Sequence, residues 1–362
     1  MDPNVTLCYS EPVATGMLNK EEKTMKKFAA ILLAMLMLFS TSALAEEAAT
    51  ETPEVVQGPK VGIILYTMRN DMSAAIKEKV AAGTAEADAQ KEVLFDAMER
   101  IAEMGYQGVQ MTTFYSVPAA ELKAKADELG LTLLPPHWAN ANWTDEEWTA
   151  NLQYLVDAGI PGLLLASSSI PGRDRSDTSP ITQAQLVSWR DSLVETLKAM
   201  QAQIEKNGQD LFVGYHSHSN EVIPIEAISM NVMDALYAEF GDSVPLELDI
   251  AWAAWPNSGV DRYLPYQPMR SEGLAEYFMK HGNQFTKYLH LKDVDFETGE
   301  PTAIGQGDLE WNELFPIFNM YDVEWVIVEN DRPESFNRDG FQDAQVSINY
   351  LKDLYQSLGW TW

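Results

Sequence analysis

Four short apolar runs in the C-terminal half of this 362-residue chain each end on a side chain able to hold a metal ion. They are Leu211-Phe-Val-Gly-Tyr-His216, Pro245-Leu-Glu-Leu-Asp249, Tyr288-Leu-His290 and Trp325-Val-Ile-Val-Glu329. Their end points lie 33, 41 and 39 residues apart, the length of a strand, a helix and two loops. Buried parallel strands read as near-continuous apolar stretches, and their C-terminal ends converge on one face of a barrel. Two imidazoles and two carboxylates meeting there would form an O/N-rich site for one divalent ion. Mn, Zn, Mg and Co all suit such donors, and the residue types do not choose among them.

The elements that must carry these residues follow the same rhythm from Val61 onward. Strands are expected at Val61–Tyr66, Gly108–Met111, Leu131–Leu134 and Gly162–Ala166, before the four above. A helical region over 73–104 is interrupted at 81–89; its second half sets Leu94, Met98 and Ile101 on one face and stops at Gly105. Further helices are expected at 121–129, from the capping signal Thr144-Asp-Glu-Glu to Ala158, from Pro180 to about Asn207, and near 226–239, 272–281, 310–319 and 340–357. Eight strands alternating with eight helices predict a single-domain α/β (β/α)8 TIM barrel over 60–362. An open doubly wound sheet would carry a Gly-rich loop after its first strand, and Tyr66-Thr-Met-Arg is nothing like one.

Over about residues 60–358 the chain resembles the sugar phosphate isomerase/epimerase family of xylose isomerase-like TIM barrels. The resemblance rests on Ile101-Ala-Glu-Met-Gly-Tyr-Gln-Gly-Val109, Glu128-Leu-Gly-Leu-Thr-Leu133, Gly214-Tyr-His-Ser-His218 and Leu248-Asp249. It continues through His290-Leu-Lys-Asp293, Ile304-Gly-Gln-Gly307 with Trp311, and Val328-Glu329. The family's four strand-end metal ligands, commonly Glu, Asp, His and Glu, match His216, Asp249, His290 and Glu329. His216 departs from the pattern, since many members have Glu there. Some members carry His-x-His with a Glu three residues on, and Glu221 fits that Glu, as a fourth ligand or a substrate contact. Trp252 stands where an Asp-x-x-His motif has its His, and Gln110 where an acidic residue often closes the second strand.

The resemblance implies a metal-dependent isomerase or epimerase that moves a proton next to a sugar carbonyl. Glu329 or Glu221 would carry the proton, with His218 and Lys292 beside them. Tyr66, His137, Trp138 and Trp252 are candidates to line the mouth and stack on a sugar, as is Trp255. Arg173 and Arg175 are the best anion-binding option. Each residue singly also suits a structural role, as a helix cap, an ion pair or a packed ring. Lys292 fits substrate contact and neutralisation of Asp293 equally. Two other functions fit the pattern. Epimerisation by two opposed bases needs two carboxylates, whereas a lyase or dehydratase needs a metal and one base. A carbohydrate-binding protein without catalysis needs neither, and the retention of Asp249, His290 and Glu329 argues against it. The DNA-repair endonucleases of the same fold need a His-rich multi-zinc site and a basic face, whereas this chain has 5 His and a net charge of −29.

Lys26-Lys27, the apolar stretch Phe28–Phe39 and Ser40-Thr-Ser-Ala-Leu-Ala45 have the parts of a secretory signal peptide, 25–45. The apolar stretch is far short of the roughly 20 residues of a membrane span, so no stable membrane insertion is expected after cleavage. Residues 1–24 read as an over-extended start with Met25 as initiator, and the polar, Pro-containing 46–59 as a flexible linker. Removing residues 1–45 also removes Cys8, the sole cysteine, which excludes disulfides, thiolate-bound zinc and a cysteine nucleophile. The removed Lys and Asp/Glu balance, so the mature charge stays at −29 and disfavours nucleic acid. Export also favours a non-phosphorylated sugar or glycoside, because sugar phosphates are mainly cytoplasmic. Secretion predicts that N-terminal sequencing of the exported protein begins at Glu46; a start at or before Met25 would contradict it.

Overall fold

The computed structural model describes residues 56–138, 142–166, 170–173, 179, 181–254 and 271–362. Its strands are Val56–Gln57 (β1), Lys60–Ile64 (β2), Gly108–Gln110 (β3), Thr132–Leu133 (β4), Gly162–Ala166 (β5), Phe212–His216 (β6), Leu246–Asp249 (β7) and Tyr288–Leu291 (β8). Asp293–Asp295 (β9), Glu300–Thr302 (β10), Trp325–Val328 (β11) and Trp360–Thr361 (β12) complete them. The helices are Arg69–Ala81 (α1), Glu86–Met104 (α2), Ala119–Leu129 (α3), Asp145–Ala158 (α4), Gln183–Asn207 (α5), Val232–Phe240 (α6), Ile250–Ala254 (α7), Ser271–His281 (α8), Trp311–Met320 (α9) and Gly340–Ser357 (α10).

Eight parallel strands form one curled sheet in the order β4-β3-β2-β11-β8-β7-β6-β5. The two edges meet where the Leu164 N–H donates to the Pro136 carbonyl at 2.8 Å. This is the expected TIM barrel. Thr144 caps α4 through the anticipated capping box, with Glu147 as its partner. The helical region after β2 breaks into α1 and α2 at 82–85, where Gly83 sits at φ 99°.

Alternation along the strands sorts large from small side chains inside the barrel. Trp325, Tyr288, Ile327, Ile64 and Leu134 form a separate buried cluster at the floor, with Phe212 against it. Glycines make room for them. A Cβ on Gly108 would lie 2.7 Å from the Trp325 ring, and one on Gly62 the same distance from Leu134 Cδ1. The floor is apolar, and the buried polar side chains Gln110, His216, Glu247, Asp249 and His290 stand in the middle or C-terminal parts of their strands.

Two strand pairings and the short helix α7 were not anticipated. Val56–Gln57, read from sequence as part of a flexible linker, pairs in parallel with Trp360–Thr361. Gly58 packs under Trp360 and Tyr355, and the Tyr355 hydroxyl donates to the Pro59 carbonyl. After β8 the chain forms the antiparallel hairpin β9–β10, and the following loop wraps around Asp293. That carboxylate accepts the N–H groups of Gly305 at 2.9 Å, Gly307 at 3.1 Å, Leu309 at 3.3 Å and Val294 at 2.9 Å, and the Trp311 indole N–H at 2.9 Å. A side chain at 307 would run into Asp293. The Gly-Gln-Gly…Trp motif is therefore a cradle for Asp293. Asp293→Ala should cost about 3 kcal/mol or more in urea unfolding, because it orphans buried donors; a loss under ~1 kcal/mol would contradict that role.

Candidate metal centre

Residues two apart on a strand share a face, so β7 sends both Glu247 and Asp249 into the barrel, β6 sends His216, and β8 sends His290 with Lys292 after it. In register, Asp249 lies opposite His290 and His216 opposite Glu247. Glu329 follows β11 directly. Single ligand atoms of His216, Asp249, His290 and Glu329 all lie within 4.8 Å of one another, and all four residues are buried. His290 Nδ1 is 2.9 Å from Glu329 Oε2. Two imidazoles and two carboxylates at this spacing fit a divalent cation, for the donor chemistry is that of Zn, Mn, Mg or Co sites.

Lys292 lies inside the same group. Its ammonium donates to Asp249 Oδ2 at 2.8 Å and pairs with Glu329 at 3.1 Å and Asp331 at 2.6 Å. The Trp252 ring covers it at 4.6 Å. Burial opposes the charged ammonium, but Asp249, Asp331 and Glu329 hold its pKa well above the usual value. Burial likewise opposes ionised Glu329, yet Lys292 and His290 keep that carboxyl well below the ordinary range. Burial raises Asp249 to about 6, against the pull of Lys292. Asp293, the alternative partner for Lys292, faces the loop cradle instead.

Glu247 was missed from the sequence. Wholly buried, it meets His137 Nε2 at 2.6 Å, His216 Nδ1 at 2.8 Å and His290 Nε2 at 3.2 Å, all at Oε2. Gln110 donates to its Oε1 at 3.0 Å and to the Pro135 carbonyl at 2.9 Å. The signal was present: Glu247 stands two residues before Asp249 on a strand of period 2. Asp331, in the bend two residues beyond Glu329, was also missed and carried no such strand signal.

The remaining candidates divide. His137 stacks on His290 with ring centroids 4.9 Å apart, and His218 lies edge-on to His216 at 4.9 Å. His218 Nδ1 is buried without a hydrogen-bond partner. Burial, then Lys292, pushes the His218 pKa down to about 3, so the ring is neutral. Trp138 packs edge-on against Phe114 and Trp143 beside this group. Tyr66 lies under the Arg69 guanidinium, 4.1 Å from its ring centre, and packs against the floor cluster. Trp255 and Arg175 lie outside the described residues, and Arg173 donates to the Ser179 carbonyl.

Glu221 is not brought to the four ligands. Its carboxylate accepts the Tyr215 hydroxyl at 2.8 Å and the Asn220 N–H at 3.0 Å. Tyr215 precedes His216 on β6 and so faces the opposite side of the strand.

With this geometry in place, the chain can be set beside known proteins. The sequence profile of xylose isomerase-like TIM barrels matches residues 98–354. The chain belongs to that family. It is similar in structure to a sugar phosphate isomerase/epimerase from Parabacteroides distasonis, at 18% identity and TM-score 0.56, over 86% of this chain and 98% of that one. A second protein so described from the same organism gives 16% identity and TM-score 0.53, over 82% and 98%. The IOLI protein, solved with a bound zinc atom, gives 12% identity and TM-score 0.52, again over 82% and 98%. At these identities the likeness is one of fold. No curated protein matches the sequence. Among the described residues no helix is long and apolar enough to cross a membrane.

Burial raises the Glu221 carboxyl to about 7, against its hydrogen bonds. The native state therefore holds a proton that the unfolded chain, with an ordinary value near 4.3, releases earlier. The proton-bound stability is present below the unfolded value and is lost as pH rises toward 7, by about 3 kcal/mol. Urea unfolding at pH 5 and pH 7.5 should show this fall in the parent, and Glu221→Gln should flatten the difference. An unchanged difference would contradict the assignment.

Proposed function

We propose that this family member is an exported, divalent-metal-dependent sugar isomerase or epimerase that transfers a proton next to a carbonyl. The convergence of His216, Asp249, His290 and Glu329 within 4.8 Å carries the proposal. Those four would hold one cation, and such a cation supplies Lewis acidity toward a sugar carbonyl or hydroxyl. Lys292 brings a fixed positive charge to the same point, where it would stabilise a developing enediolate oxygen. Asp331 gives the ammonium a partner outside the ligand set. Glu329, held ionised, is the carboxylate placed to take the proton. Neutral His218, whose buried Nδ1 has no hydrogen-bond partner, can make a hydrogen bond to a sugar hydroxyl. Trp138 and Trp252 supply aromatic faces for a carbohydrate ring. A non-phosphorylated sugar or glycoside is the substrate class that fits export and the acidic chain.

One observation favours a second reaction. Glu221, the carboxylate that would complete an opposed pair of bases, is turned to Tyr215. With one base beside the cation, elimination by a lyase or dehydratase acting on a keto-sugar becomes the alternative.

Metal analysis of protein purified without chelator should find about one divalent ion per chain, and Asp249→Ala/Glu329→Ala should lose it while remaining folded by circular dichroism. Equal metal content in both would leave a carbohydrate-binding role. Incubating free and keto-sugars with the metal-loaded enzyme in deuterated water then separates the reactions. Deuterium at the carbon next to the carbonyl without loss of a group marks isomerisation or epimerisation. Loss of the group marks elimination.

A further inference from the structure

His137, His216, Glu247 and His290 form a second group whose ligand atoms lie within 4.8 Å of one another, and it shares two histidines with the first. Two cations would have to share two imidazoles, and in the second group the one carboxylate is already enclosed, with Gln110 on Oε1 and three imidazole nitrogens on Oε2. The contacts to Glu247 at 2.6 and 2.8 Å are hydrogen-bond lengths.

Proton bookkeeping then assigns each ring. The Gln110 amide nitrogen donates to the Pro135 carbonyl, which can only accept, and to Glu247 Oε1. That fixes the orientation of the amide, so Gln110 Oε1 faces His290 Nε2 at 2.7 Å as an acceptor. His290 Nε2 must carry a hydrogen, and Nδ1, 2.9 Å from a Glu329 carboxylate oxygen that can only accept, donates there in the metal-free protein. His216 Nδ1 points at a carboxylate oxygen, so it too carries a hydrogen, and Nε2 is its one nitrogen with a free lone pair.

Resting on the proposed metal centre, we infer that Glu247, backed by Gln110, is a positioning residue. It holds the hydrogens on His216 Nδ1 and, with Gln110, on His290 Nε2, so that His216 Nε2 is offered to a divalent cation, as is His290 Nδ1 once the hydrogen it shares with Glu329 is displaced. A metal-bound histidine is oriented in this way by the acceptor on its other nitrogen. The role explains why a fully buried carboxylate is kept among three imidazoles and an amide, where an unpaired charge would be costly.

The test is 15N NMR of the full chain labelled at histidine, with Zn2+ as the probe. In the metal-free protein His216 should show a hydrogen on Nδ1 and His290 one on each nitrogen. Zn2+ should then shift His216 Nε2 and displace the His290 Nδ1 hydrogen, while the hydrogens on His216 Nδ1 and His290 Nε2 stay. Glu247→Gln should mix the His216 tautomers and weaken Zn2+ binding 10- to 100-fold by competition titration. Zn2+ on His216 Nδ1 would make Glu247 a ligand and overturn the inference while leaving a metal centre in place. Unchanged tautomers and affinity in the variant would also overturn it. Wild-type protein that takes up no Zn2+ sinks the metal centre and this inference together. The wild-type spectra decide the tautomers even if the variant does not fold.

Discussion

A lysine ammonium held inside the barrel by three carboxylates from two segments organises the rim. Lys292 is 1% exposed, and taking a charge out of water costs several kcal/mol unless partners surround it. Asp249 at the end of β7 and Glu329 and Asp331 beyond β11 provide them at 2.6–3.1 Å. The dependence runs both ways, since these acids would be equally costly without the ammonium. Strands β7, β8 and β11 are thereby tied in one register at the end where the candidate metal ligands gather. The imidazoles continue the pattern on the other side, where Glu247 gathers three of them.

The apolar part of the barrel makes this possible. Trp325, Tyr288 and Phe212 fill the floor against glycines on neighbouring strands. Water is kept from below, and the polar layer above is desolvated. Interactions there are stronger than at a surface, which is why carboxylates on one strand separate so widely. Asp249 is raised to about 6, whereas Glu247 is lowered: burial opposes its charge, but His290 and His137 prevail.

Much of the barrel was legible because buried parallel strands are written as unbroken apolar runs, and the helix α10 was read to its termini. The four strand-end residues were legible because each breaks such a run. Glu247 was not read, although period-2 alternation puts it on the same face as Asp249, because it sits inside a run that is otherwise apolar. Asp331 lies in the bend beyond β11, where strand alternation no longer places a side chain. Glu221 failed for the opposite reason: its spacing from His218 suggested the site, but Tyr215 on the other face of β6 offers it a hydroxyl. The hairpin β9–β10 carried a turn signal, Glu297-Thr-Gly299, that the βα rhythm masked. Asp293 looked like a charge for Lys292 to neutralise, yet adjacent residues point to opposite sides, and backbone donors took it instead.

The pairing of Val56–Gln57 with Trp360–Thr361 has a practical meaning for how the molecule can be held. Both segments lie at the strands' starting end, where Pro59 meets Tyr355 and Trp362 reaches the Gly105 carbonyl. A support or fused partner joined at this seam stands under the barrel's base. Immobilisation through this pole would leave the opposite rim, where the buried histidines and carboxylates gather, facing open solution.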